Sequence, residues 1–99
     1  MKRILYLNWD KEEMEQNANI MKRFMFGFDE GESINLDWYR ERKYPLQSES
    51  LNEVWHDLNK DDRINGQEER SLCVGDIIEF DGHLWGINPI GFVDLGERV

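Results

Sequence analysis

The sequence predicts one α+β domain over residues 1–99, a small and mostly antiparallel sheet of four or five strands with two helices on one face. Three observations predict it. Ile4-Leu5-Tyr6-Leu7 is a short run of apolar and β-favouring residues, as expected of a strand buried on both faces. Segments 11–25 and 50–59 space apolar residues by three and four, the period of a helix with one wet side. The last third alternates strand-like runs with turn signals.

After the first strand, Asp10 and Glu13 have the spacing of a capping box, with Trp9 and Met14 at the staple positions. Met14, Ala18, Met21 and Met25 then share one helical face, which is expected to pack on the sheet. The helix should end near Gly27. Asp29 to Ser33 reads as a turn. Ile34, Leu36 and Trp38 alternate with polar neighbours, the period of a half-buried strand. Arg40-Glu41-Arg42-Lys43 precedes Pro45 and is expected to be irregular, its cations (with Arg23) solvated.

Ser50 and Glu53 form a second capping box, and Leu51, Val54, Trp55 and Leu58 give the following helix a compact apolar face. Residues 59–69 are polar, contain Gly66 and read as a loop. Asp76 to Phe80 is a strand, Asp81-Gly82 a tight turn and His83 to Ile87 the returning strand. Asn88-Pro89 breaks it, and Gly91 to Leu95 supplies a third strand of a β-meander.

The composition argues for a folded chain: 39% of residues are apolar and 12% aromatic, unlike a disordered acidic tail. No stretch approaches the length of a membrane helix, and the first apolar run meets Trp9-Asp10-Lys11 too early for a signal peptide. The single Cys73 cannot close an internal disulfide, which predicts a cytoplasmic protein. The net charge of −9 is uneven, with 9 acidic against 8 basic residues in 1–45 and 12 against 4 in 46–99. A field of that sign repels phosphate backbones, so direct nucleic-acid binding is disfavoured.

The motifs offer little catalytic chemistry. Asp57, Asn59, Asp61 and Glu68, with Ile64 at the apolar position, match the ligand ladder of a calcium-binding loop, as an alternative function would require. Against it, Asp62 stands where the sharp bend calls for Gly, and a strand follows instead of a helix. Cys73, His56 and His83 lack zinc-ligand spacing, and both histidines are expected near solvent. No base accompanies Cys73, and Gly27 and Gly31 stand alone without a phosphate-cradling pattern. A second alternative places Trp38, Tyr39, Tyr44, Trp85 and Phe92 on a platform that stacks single-stranded bases. The chain is therefore expected to be no enzyme and to hold no cofactor.

Leu51 to Leu95 resembles a family of small bacteriophage and mobile-element proteins. The pattern is carried by Asn59, Asp61, Asp62, Arg63, Asn65, Gly66, then Arg70, Ser71, Leu72, Val74, Gly75, Asp76, Ile77, and finally Gly91 and Phe92. Cys73 stands where the pattern has a second Ser, and Ile64 where Pro is common. The resemblance implies a setting in a bacterial host cell rather than a mechanism. With the charge, it leads to the expectation of an accessory protein whose acidic face docks a basic surface of a host protein, one form being inhibition of a nucleic-acid-dependent defence system. The residues expected to build that face are Asp57, Asp61, Asp62, Glu68, Glu69, Asp76, Glu79 and Asp81. Arg63 and Arg70 are expected to tie the loop to the meander through Asp61, Asp62 or Asp76.

Overall fold

The computed structural model describes residues 2–12, 16–60 and 69–97. The expected capping residue Glu13, the stripe residue Met14 and the loop 61–68 lie outside these.

The fold is α+β, as the sequence predicts. Strand β1 (Lys2–Leu7) lies inside a five-stranded antiparallel sheet with β2 (Tyr39–Tyr44), β3 (Ile77–Phe80), β4 (His83–Ile87) and β5 (Phe92–Glu97). The spatial order is β2-β1-β3-β4-β5. Because side chains alternate across a strand, β1 feeds two cores. Ile4 and Tyr6 pack with Ile78, Ile87, Val54 and Leu58, while Leu5 and Leu7 pack with Ile77, Leu84, Ile20 and Phe28. Each fully buried aliphatic side chain of this kind contributes about 1.5–3 kcal/mol.

The two helices therefore cover opposite faces, where the sequence suggested one. Helix α2 (Leu51–Asn59) supplies Val54 and Leu58 to the first core, and helix α1 (Ala18–Phe26) supplies Ile20 to the second. A strand apolar at every position demands cover on both sides, so one-sided packing was never open to β1.

Helix α1 also starts later than expected. The Asp10 carboxylate is held by Arg40, 2.8 Å away, and it does not cap the helix. Asn17 is the cap, its Oδ1 accepting from the amides of Asn19 (3.0 Å) and Ile20 (3.2 Å). The buried line is Ile20 with Phe24, whose ring lies 4.3 Å from that of Trp9. Met25, placed by periodicity on the core face, is 61% exposed.

Residues 36–38 form a 3-10 turn instead of a strand, and the strand is the charged segment Tyr39–Tyr44. It pairs with β1 along its whole length and buries only its two tyrosines. An edge strand tolerates such charges, and they guard it against pairing with other chains. Helix α2 matches its predicted span and cap, but of its predicted apolar face Val54 and Leu58 are buried while Trp55 is exposed. Ser50 Oγ accepts from the Glu53 amide (3.2 Å), and the Glu53 carboxylate reaches back to the Glu49 amide (3.0 Å). In the β3–β4 turn, Asp81 and Gly82 take φ of 52° and 82°, the positive values that a type I′ hairpin needs.

Candidate interaction surface

Three of the carboxylates assigned to a docking face turn inward. Asp76, with 0% exposure, accepts two hydrogen bonds from Arg70 (2.6 and 2.9 Å) and one each from the amides of Leu7 and Cys73 (both 2.8 Å). Burial pushes its carboxyl up, against the pull of Arg70 and the two amides. Glu69 is buried against Arg40 (2.7 Å) and Arg42 (2.9 Å), and Glu79 against Arg3 (3.5 Å). A side chain so covered cannot meet a partner. The sequence suggests the Arg70 pairing with Asp76 but not the arginines that β1 and β2 bring to Glu79 and Glu69.

These pairs form a chain of alternating charge. Asp76 binds Arg70, whose Nε lies 3.4 Å from Asp10, and Asp10 binds Arg40, which continues to Glu69 and Arg42. The guanidinium groups of Arg40 and Arg70 also sit 5.4 and 5.3 Å from the Tyr6 ring. Arg70 thus ties the segment after the loop to the meander, as expected. Arg63, Asp61, Asp62 and Glu68 lie outside the described residues.

Asp57 and Asp81 remain at or near the surface, on separate elements. Asp57, on α2, accepts from Ser48 Oγ and lies 3.7 Å from Lys60; Asp81 occupies the β3–β4 turn. The first and third calcium positions are engaged within the fold, since Asn59 Oδ1 accepts from the Leu72 amide at 2.7 Å. Among the described residues no group of three or more His, Cys, Asp or Glu is placed to hold a metal ion. The aromatic platform does not assemble either: Tyr44 and Phe92 belong to one core, Tyr39 and Trp38 to the other. Burial pushes the Cys73 thiol up, the reverse of nucleophile activation.

His83 is not simply solvated. Its Nε2 lies 2.5 Å from Asp94 Oδ1 and its Nδ1 3.3 Å from Glu97 Oε1. Asp94 above all, with Glu97, raises its pKa above the ordinary 6.5.

Exposed acidity occurs instead in and near the turn after α1, where Asp29 and Glu30 are exposed beside the half-buried Glu32 and exposed Glu97 of β5 lies across a cleft from Glu32; Asp37 is exposed farther along the same connection. Two clefts open on either side of Glu32. One, of about 340 Å³, is walled by Phe26, Phe28, Trp38 and Arg23; the other, of about 320 Å³, by Ile34, Leu36, Leu84, Leu95 and Glu97. The walls are tied firmly to the sheet. Asn88 accepts from the Phe28 amide (2.7 Å) and donates to its carbonyl (3.0 Å), and the Gly31 amide donates to Asp94 O (2.9 Å). Arg23 donates to Gly27 O (2.9 Å), pairs with Glu32 and lies over the Phe28 ring. Phe28 in turn packs where Gly86 has no side chain. Sequence reading missed this surface because residues 29–38 look like a turn and a strand, and nothing local shows β5 beside them.

No helix among the described residues is long and apolar enough to cross a membrane. No protein-family model matches the chain, and neither the curated proteins nor the solved structures give a significant match.

Proposed function

We propose that this chain is a non-enzymatic binding protein that docks a basic surface of another protein through exposed carboxylates. One observation carries the reading. Every arginine among the described residues is paired within the chain, five arginines with five carboxylates: Arg3 with Glu79, Arg23 with Glu32, Arg40 with Asp10 and Glu69, Arg42 with Glu69, and Arg70 with Asp76. Pairs of opposite sign add nothing to the net charge, so the −9 falls on the other side chains. Exposed Asp29, Glu30, Asp37, Glu97 and Asp81 contribute to it. Such a field accelerates encounter with cationic surfaces and repels polyanions. In the bacteriophage or mobile-element setting that the sequence pattern implies, the partner is a host protein with a basic groove, such as a component of a nucleic-acid-dependent defence system.

Affinity capture from bacterial lysate, followed by titration of the purified partner at increasing salt, tests this. The association should weaken steadily from low to moderate ionic strength. Binding indifferent to salt would refute docking by charge.

A further inference from the structure

Resting on the reading of an acidic docking protein, we infer that the paired clefts flanking Glu32 are its recognition site. They receive two apolar side chains of a basic segment of the partner.

Among the described residues, the exposed large hydrophobics include Phe26 (64%) and Leu36 (43%), one at the wall of each cleft. Exposed Asp29 lines the first cleft and exposed Glu97 the second, while Glu30 and Asp37, also exposed, are chain neighbours of lining residues. The second cleft is walled by Ile34, Leu36, Leu84 and Leu95, and the first sets three aromatic rings among polar and charged side chains; in a binding surface buried anchors supply affinity and the charged surround sets the partner.

The sign of the rim selects the occupant. A second copy of this chain would bring like charge to like, and nucleic acid or an anionic lipid surface would be repelled. A peptide segment with Lys and Arg around apolar anchors satisfies both parts of the site. The ties from Asn88, Arg23 and Gly31 hold the walls in place before binding, so little ordering is required on association. Lys22 lines the first cleft beside Arg23, which Glu32 neutralises, and an incoming lysine or arginine must avoid it, which directs the basic residues toward Glu97 at the second cleft.

The probe is a labelled peptide, Arg-Lys-Leu-Arg-Lys-Phe-Arg-Lys, compared with an oligolysine of equal charge by fluorescence anisotropy at low salt. The anchored peptide should bind about tenfold more tightly. Phe26→Gln and Leu36→Gln, which alter no charge, should each remove most of that advantage. Ile90→Gln, at an exposed position on the β4–β5 connection, should leave it intact. Unchanged melting temperatures establish that the variants fold. Equal affinity for both peptides, unmoved by Phe26→Gln and Leu36→Gln, would overturn the cleft assignment and leave docking by charge standing. Absence of binding by either peptide would also overturn it, while the salt response of the captured partner judges the broader reading separately. A loss caused by Ile90→Gln would move the site to the α2 side of the molecule.

Discussion

Asp76 shows how much one side chain can hold. Its two oxygens satisfy Arg70 and the amides of Leu7 and Cys73, joining β1 to the segment before β3. Removing Arg70 would strand a fully covered carboxylate, so Arg70→Met should cost about 3–5 kcal/mol, read as a lower urea midpoint. A surface pair would lose no more than about 1 kcal/mol. His83 presents the opposite case, a polar cluster open to water. Its raised pKa means that the Asp94 and Glu97 contacts stabilise the fold fully below the ordinary 6.5 and fade as pH rises through the folded value. In an NMR titration, Asp94→Asn should bring the His83 midpoint down toward 6.5; an unmoved midpoint would contradict the assignment.

At the level of elements, close approach decides what the strands accept. A Cβ at Gly86 would lie 2.3 Å from the Phe28 ring, so Gly86→Ala should cost about 1–3 kcal/mol in urea unfolding. Phe28→Leu in the same chain should recover part of that loss, because the two positions share one space. The elements legible in the sequence were those whose signals are local: the capped helix α2, the Asp-Gly hairpin and the doubly buried β1. Those misread depend on distant residues. Asp10 looks like a cap until Arg40 and Arg70 take its oxygens, and Arg40 to Lys43 look irregular until β1 pairs with them. The same limit applies to the site, since the charge excess was legible but its inward-turned share was not.

The whole molecule carries its ion pairs as a stability device with a defined pH window. Burial works to raise Asp10 and Glu69, but their arginines outweigh it and hold both below the ordinary 3.8 and 4.5; hydrogen bonding from Arg23 lowers Glu32 likewise. Carboxylates lowered in this way stabilise fully above their unfolded values, and the contribution is lost as pH falls through the folded ones. Asp76, raised by burial, contributes the opposite slope in that region. Urea midpoints should therefore decline below about pH 4, with Glu69→Gln giving a shallower decline there, and should fall again by a smaller amount as pH rises through the His83 titration.

The covered guanidinium groups of Arg23, Arg40 and Arg70 have a consequence for handling the protein. Ions in solution reach a surface charge easily and a covered pair poorly. On the docking proposed above, added salt should separate two things that usually fail together, releasing a basic partner while the scaffold beneath keeps its shape. A partner held as proposed should wash off and rebind to the same folded molecule.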